Sequence, residues 1–234
     1  PVLSNTWYTK MDLTKSAVTK IEFVKVYELP TINGTTVFDV SDGRNGAVTG
    51  EINNGVVTIK ALDVIKAPSS CQNLFSLFKN VTEIDFTNFA VTNSTTNMRN
   101  MFGYCNALTS VGDLSGWDTS SVTDMESMFS YCSSLTSLNL SGWDTSNVEN
   151  MKHLFSNCSS LITLDLSGWD TSNVTDMYCM FISCSSLTTL DLSNWNTNNV
   201  TDMGGMFADC SSLTTLDLSG WDTSSAEYMG YMFD

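Results

Sequence analysis

Basic residues are scarce in this chain, and the scarcity is confined to one part of it. The sequence holds 10 Lys and Arg against 25 Asp and Glu, a formal net charge of −15 at pH 7. Only three of the basic but 18 of the acidic residues lie in 71–234, so that part carries the whole net charge. Because contacts to phosphate require Lys and Arg, we expect neither nucleic acid nor anionic lipid as a partner. The acidity is also consistent with a surface that is simply kept soluble.

Long apolar runs and catalytic motifs are missing too. No stretch approaches the roughly 18 consecutive apolar residues of a membrane-spanning helix. His153 is the only histidine, and there is no nucleophile motif or phosphate-binding loop. The cysteines recur about every 26 residues, whereas zinc ligands are typically two to four residues apart. We therefore predict no enzymatic activity, no catalytic or metal-binding residues, and no membrane insertion.

The two ends of the sequence suggest a piece of a longer protein. The chain begins at Pro1 without a methionine or an apolar signal region, and it stops within a repeat at Asp234. We expect any anchor to lie outside this sequence. A stack that stops in mid-repeat should expose apolar side chains, so this end is predicted to fray or to associate end to end with another molecule.

A repeat of 26 or 27 residues is what the sequence does contain. The segments 161–186 and 187–212 align throughout. Each unit opens with LxxLxL, and its last two leucines, such as Leu164 and Leu166, alternate with polar residues as in a half-buried strand. In the second half, apolar residues follow Val174 at offsets of 3, 6, 7 and 10, which predicts a short helix capped by Thr175. The period is marked by Phe75, Phe102, Phe129, Phe155, Phe181, Phe207 and Phe233.

A strand followed by a helix at this period predicts an α/β fold. We expect residues 71–234 to form a leucine-rich-repeat solenoid of about six repeats, with parallel strands on one face and short helices on the other. Residues 1–70 lack the repeat but contain two strand-like segments, 17–29 and 35–40, and a hairpin signal at Asn54 and Gly55. They are predicted to form an N-terminal antiparallel β cap.

The repeat also resembles that of a known family. The unit CSSLTTLDLSGWDTSNVTDMxxMF is similar to the repeat of BspA-like bacterial surface proteins, which occurs also in lactobacillus, listeria and mycoplasma surface lipoproteins. The likeness covers residues 71–234, and the leader VFDVSDGRNGAVTGEINNGVVTIKA resembles the leader of that family. The resemblance implies a leucine-rich-repeat solenoid, an extracellular, cell-surface location and a role in adhesion or host contact. It implies no particular binding residues.

One aromatic column invites two interpretations. Its tryptophans are either an exposed ladder that stacks on sugars or a ladder buried in the core, and Phe89 at the same place in the first repeat favours burial. Glycine or asparagine precedes each member, which predicts a positive φ there. The column consists of Trp117, Trp143, Trp169, Trp195 and Trp221.

A cysteine column is interpreted in the same way. Phe78 occupies its slot in the first repeat, which favours buried free thiols, although neighbours about 5 Å apart could pair. Cys179 and His153 share a variable position that we expect outside the core. Cys179 could react or pair with another molecule there, whereas His153 is interpreted as a surface residue. The column consists of Cys105, Cys132, Cys158, Cys184 and Cys210.

Two acidic columns remain. The column of Asp118, Asp144, Asp170 and Asp222 is assigned to side-chain-to-backbone turns. The other flanks the inner leucines on the predicted outer face of the strands, which is the usual binding face of solenoids. Its Asp members are either wetted and inert, bridged by Ca²⁺, or bound to a basic or glycan partner. The ligand-binding candidates on this face are Thr163, Asp165, Ser167, Thr189, Asp191, Ser193, Thr215, Asp217 and Ser219.

The sequence thus predicts a non-enzymatic bacterial cell-surface module. It would bind a host or bacterial surface protein, or a glycan, through the strand face. The near-uniformity of the units supports an alternative, a structural spacer or self-associating scaffold with no specific ligand. Apart from Ca²⁺, no cofactor is expected.

Overall fold

The computed structural model describes residues 1–234 and consists mainly of short strands and turns. Helix is confined to the first part of the chain: α1 spans Trp7–Lys10, and 3-10 turns span Lys15–Ala17 and Asp42–Arg44. The strands are β1 Lys20–Lys25, β2 Val37–Asp39, β3 Thr49–Asn53, β4 Val56–Ala61, β5 Ile65–Lys66, β6 Glu83–Asp85, β7 Phe89–Ala90, β8 Ser137–Asn139, β9 Thr163–Asp165, β10 Thr189–Asp191 and β11 Thr215–Asp217.

The N-terminal region forms most of a five-stranded sheet in the order β2-β3-β4-β1-β6. β3 and β4 form the predicted hairpin, and both turn residues have positive φ, 48° at Asn54 and 82° at Gly55. β1, however, runs parallel to both β4 and β6. The expectation of an antiparallel cap is therefore wrong for half of the sheet. Because β6 belongs to the first repeat, this sheet continues directly into the repeats.

The repeats stack with parallel pairing at the predicted positions. Leu138 lies opposite Leu164 in β8 and β9, and Leu190 lies opposite Leu216 in β10 and β11. The strand side is not one continuous sheet, because β9 and β10 fall in different two-stranded sheets. In the second repeat Gly112, at φ 65°, lies beside an isolated bridge from Ser110 to Glu83, and no strand forms there.

The predicted helices of the repeats are absent. Two left-handed residues interrupt the second half of every unit but the last, for example Cys179 at φ 52° and Ser183 at φ 58°. A left-handed residue every four positions cannot belong to an α-helix. Thr175 therefore caps no helix, and its Oγ1 instead donates to the carbonyl oxygen of Glu149 in the preceding repeat. We call this second half the turn segment; in the unit that begins at Leu161 it comprises residues 174–184.

The turn segment satisfies its backbone by two alternating kinds of hydrogen bond. Alternate amides donate to the next repeat, as from His153 to the Tyr178 carbonyl at 2.9 Å. The amides between them close tight turns, as from Leu154 to the Met151 carbonyl at 3.2 Å. Each of the six junctions between repeats has four inter-repeat bonds of this kind, all in the same direction. Buried backbone groups are thus paired without a helix.

The N-terminal region closes the first turn segment. The indole nitrogen Nε1 of Trp7 donates to the carbonyl oxygen of Leu74 at 3.0 Å, and Nζ of Lys15 donates to that of Ser76 at 2.6 Å. The Trp7 ring also stacks on Phe78, with ring centroids 5.5 Å apart. The cap therefore provides both the donors and the apolar cover that a preceding repeat would otherwise supply.

The core runs the length of the stack as columns of like side chains. The Phe rings of successive repeats stack nearly parallel, with centroid separations such as 5.2 Å between Phe102 and Phe129 and 5.7 Å between Phe181 and Phe207. Such ring pairs are favourable beyond the area they bury. The columns end at Leu216, Leu218 and Trp221, which are only partly buried, and at Phe233, which is 63% exposed.

Candidate functional site

The strand face presents the predicted row of polar side chains. In β9 and β10, Thr and Asp are exposed on either side of a buried leucine, Leu164 or Leu190. Ser193 is half-buried, while the other predicted site residues on this face are exposed. An open depression of about 430 Å³ crosses β8, β9 and the start of β10, lined by Ser137, Leu138, Asn139, Ser141, Thr163, Leu164, Asp165 and Thr189.

The Asp column on this face has a local role that the sequence analysis missed. Oδ1 of Asp165 accepts from the amide of Ser167 at 3.0 Å and from its hydroxyl at 2.7 Å, and Asp191 binds Ser193 in the same way. These hydrogen bonds hold the pKa of both carboxyl groups below the usual range. One carboxylate oxygen of each residue therefore closes the turn after the strand, and the other, Oδ2, makes no hydrogen bond within the chain.

Two more columns make the same turn. The predicted turns at the second Asp column are confirmed, as Oδ1 of Asp144 accepts from the Ser146 amide at 3.0 Å. A third column went unrecognised, although Asp or Asn recurs two residues after a valine or its equivalent in five successive units. Its Asp176 accepts from the Tyr178 amide at 2.8 Å. The third column consists of Asn97, Asp124, Asn150, Asp176 and Asp202.

The acidic residues do not gather into a cation site. No group of three or more His, Cys, Asp or Glu side chains comes together anywhere in the structure. On the strand face β9, β10 and β11 contribute one carboxylate each, and Ca²⁺ takes six to eight oxygen ligands. Bridging by Ca²⁺ would thus need many water ligands, and it stays a prediction.

The tryptophan column is buried, so the interpretation as an exposed sugar-stacking ladder is wrong. Trp143, Trp169 and Trp195 are each 3% exposed or less. The indole of Trp169 donates to the Leu140 carbonyl at 3.2 Å, and the same bond recurs in neighbouring repeats. The Nε1–H of each of these tryptophans is therefore used to join one repeat to the one before it.

The residue before each tryptophan does not have the predicted positive φ. Gly168 and Gly220 do not have a left-handed backbone conformation. The close approach of a neighbouring backbone explains glycine at these two positions instead. A Cβ at Gly168 would lie 3.1 Å from the Ser141 carbonyl oxygen, and one at Gly220 would lie 2.4 Å from that of Ser193. At these two positions the small residue is needed because the backbone of the preceding repeat passes beside it. Close approach does not account for the whole column, since a Cβ at Gly116 would meet no atom within 4 Å.

The cysteine column consists of free thiols, as predicted. Each Sγ donates to the carbonyl oxygen of the Phe-column residue in the preceding repeat, for example Cys158 to Phe129 at 3.2 Å. Burial raises the pKa of Cys105 and of Cys158 to about 12. These thiols are therefore held in the unreactive, protonated form.

Cys179 and His153 lie on the turn side, outside the main core cluster. Cys179 is nevertheless only 5% exposed, and burial raises its pKa, which does not fit a reactive thiol. His153 is half-buried, with its ring edge against Tyr178 at a centroid distance of 5.3 Å. Burial and the neighbouring Lys152 lower the pKa of His153. No Ser-His-Asp arrangement forms around it.

A family model described as "Mycoplasma protein of unknown function, DUF285" matches residues 69–189 and 160–234, which together make up most of the chain. The chain belongs to this family. The DUF285 matches begin beside the first repeat and overlap within the units at 160–189, as expected where one unit recurs. No curated protein matches the chain. None of the helices is long and apolar enough to cross a membrane.

Proposed function

We propose that this DUF285 chain is a non-enzymatic binding module that recognises a basic protein surface through its strand face. The observation that carries the proposal is the repeated row of exposed Thr and Asp across successive strands. Asp165, Asp191 and Asp217 each keep Oδ2 free of hydrogen bonds within the chain. The three carboxylates are regularly spaced and share one face, so they could engage several cations of one partner at once.

The charge distribution supports a cationic partner. Lys79, Arg99 and Lys152 are the only basic residues in 71–234, and none lines the depression on the strand face. Arg99 is already paired with Glu126, at 2.8 Å. The acidic row is therefore not neutralised from within the chain, and a partner rich in Lys or Arg would find complementary charge.

The family likeness supports the location and the architecture. The resemblance to BspA-like surface repeats favours an extracellular, cell-surface protein and adhesion to a host or neighbouring cell. The stacked units, each joined to the next by parallel pairing, fit a solenoid in which the usual helix is replaced by the turn segment. The distinctive side chains of the strand face belong to repeating columns, an arrangement that favours binding over catalysis.

The test replaces the three strand-face carboxylates. An Asp165→Asn, Asp191→Asn, Asp217→Asn variant keeps the Oδ1 acceptor of each turn, as Asn139 does naturally. Its control, Asp118→Asn, Asp144→Asn, Asp170→Asn, changes the net charge equally at the other column, where Asn196 occurs naturally. In solid-phase binding to extracellular-matrix proteins, mucins and host-cell receptors, we expect saturable binding that the first variant lowers at least tenfold and the control leaves intact. Equal loss in both variants, or no saturable binding, would contradict the proposal.

Melting temperatures of the same proteins with and without Ca²⁺ test whether Ca²⁺ bridges the Asp column of the strand face. If Ca²⁺ bridges the column, millimolar Ca²⁺ should raise the melting temperature of the unaltered protein and not that of the strand-face variant. An unchanged melting temperature would remove Ca²⁺ from consideration.

A structural spacer, or a self-associating scaffold, is the second candidate. It is favoured by the near-identity of the strand faces, since Thr, Leu and Asp occupy β9, β10 and β11 alike. A spacer predicts no saturable partner and no response to either triple variant. A self-associating scaffold predicts concentration-dependent mass in sedimentation instead.

A further inference from the structure

The side chains that break the repeat lie together on the turn side, away from the strand face. Tyr104 and Tyr131 occupy one column, where they are 40% and 38% exposed. Their rings stack with centroids 4.6 Å apart at an interplanar angle of 9°. The same column continues with Asn157 and Ser183, both without a ring. Tyr104 is thus the only ring that covers Tyr131, and the side of Tyr131 toward Asn157 lacks an aromatic neighbour.

An open depression of about 380 Å³ lies at this break in the ring column. That volume falls within the range of small-molecule sites, about 300–1,000 Å³. Its walls combine flat rings with hydroxyl, amide and imidazole groups. The lining residues are Tyr104, Ser127, Ser130, Tyr131, His153, Ser156, Asn157, Tyr178, Cys179 and Ile182.

We infer that this turn-side depression binds a neutral carbohydrate, with one pyranose ring placed against Tyr131 in the slot that Asn157 leaves open. The C–H face of a pyranose suits the electron-rich face of a tyrosine ring. Beside it, Ser127 is half-buried and its hydroxyl makes no hydrogen bond within the chain, so it can exchange hydrogen bonds with sugar hydroxyls. Ser130 and Ser156 line the depression more deeply, at 5% and 3% exposure, and Ser156 Oγ accepts from Asn157 Nδ2 at 2.8 Å.

The charges around the depression favour a neutral ligand over an acidic one. Arg99 is paired with Glu126 at 2.8 Å, and Lys152 lies over the ring of Tyr178, with Nζ 4.9 Å from its centroid. Glu126 and Asp176 lie close enough to His153 to influence its titration. No unpaired cation is therefore aimed into the depression. The turn-side depression and the strand face are separate surfaces, so a ligand of one does not require a ligand of the other.

The left-handed backbone suggests variants that should fold. Tyr131 has φ 60°, and Asn tolerates that conformation well and already stands at the next position of the column. Tyr131→Asn removes the stacking ring, whereas Asn157→Tyr would extend the column and fill the slot with a ring of the chain itself. Leu77→Asn is the matched control, since Leu77 lies in the same column at φ 67° but outside the depression.

The test is an NMR titration of the intact chain with glucose, galactose and N-acetylglucosamine, each up to about 50 mM, a range that suits the millimolar dissociation constants of weak ligands. We expect saturable shifts of Tyr131 and His153 ring signals with at least one sugar. Tyr131→Asn and Asn157→Tyr should each weaken binding at least tenfold, and Leu77→Asn should not.

Three results would overturn the inference. One is the absence of saturable shifts with all three sugars. Another is unchanged binding by folded Tyr131→Asn protein, whose fold is verified by its melting temperature. The third is saturable binding of a tyrosine-containing tripeptide, added as a separate probe, where the sugars fail, because it would assign the slot to a peptide aromatic side chain.

Discussion

At the scale of single residues, Trp169→Phe tests how much the indole hydrogen bond between repeats contributes. The change removes the indole donor to the Leu140 carbonyl, which still accepts from the amide of Trp143. We expect the lost hydrogen bond to lower the free energy of unfolding by about 0.5–1.5 kcal/mol, in addition to the effect of the smaller ring. The matched change is Trp117→Phe, because Trp117 is also buried but has no such bond to a preceding repeat. Urea denaturation of both variants measures the difference, and equal losses would show that ring volume alone matters.

The residues that replace the usual member of a column were the most informative about whether that column is buried. Phe89 and Phe78 stand in the tryptophan and cysteine columns, and their apolar character correctly predicted burial of both. The glycines before tryptophan were misjudged, because glycine is favoured both by a positive φ and by the close approach of a neighbouring backbone. Gly168 has no positive φ but lies beside the Ser141 carbonyl, an arrangement that the sequence does not reveal.

At the scale of elements, strands were predicted well and helices were not. The alternation around Leu164 located β9 because one face of that strand is buried and the other exposed. The apolar offsets of the turn segment follow helical spacing equally well. A chain of tight turns that puts every third or fourth residue inside yields the same pattern. Most of its left-handed positions are not glycine. Residues such as Cys179 and Ser183 therefore did not indicate a positive φ in the sequence.

Ser183 offers a test of the left-handed turn segment. Ser183→Gly should leave stability unchanged or slightly raised, since glycine adopts φ near 58° without steric cost. Ser183→Val should lower the free energy of unfolding by about 1–2 kcal/mol, because a β-branched side chain is strained there. Ser186→Val, at a half-buried position nearby without positive φ, is the control. A helical turn segment would reverse the order and penalise Ser183→Gly.

At the scale of the whole molecule, the period predicted a stack of parallel-paired units and their apolar columns. It could not predict the mixed N-terminal sheet, because the pairing of β1 with β4 and with β6 joins residues far apart in sequence. The repeat period could not reveal the turn-side depression either. The depression forms where the Tyr column ends, and it depends on how the side chains of neighbouring repeats lie against one another.

Alkaline pH should destabilise the whole stack through its thiols. The ordinary pKa of a cysteine thiol is 9.0, whereas burial raises that of Cys105 and Cys158 to about 12. Above pH 9 the unfolded chain therefore loses protons that the folded chain keeps, and the free energy of unfolding falls as pH rises toward 12. Each thiol contributes up to about 1.4 kcal/mol per pH unit.

The pH effect is measured by urea denaturation on both sides of pH 9. Because Tyr and Lys also titrate in this range, Cys158→Ser provides the comparison, since serine does not ionise there. The variant should lose less stability per pH unit than the unaltered chain. Parallel pH profiles for the two proteins would show that the thiol ionises in the folded state as well.

The shared direction of the turn-segment hydrogen bonds makes the two ends of a repeat chemically different. In every junction the four amides of one repeat donate, and the carbonyls of the following repeat accept. The N-terminal cap matches this direction, because Trp7 and Lys15 donate hydrogen bonds to carbonyl oxygens of the first repeat. A surface that covers the turn segment at 228–234 must instead bring acceptors. Two such ends meeting turn segment to turn segment would place donor against donor, so the polarity of the stack disfavours tail-to-tail assembly.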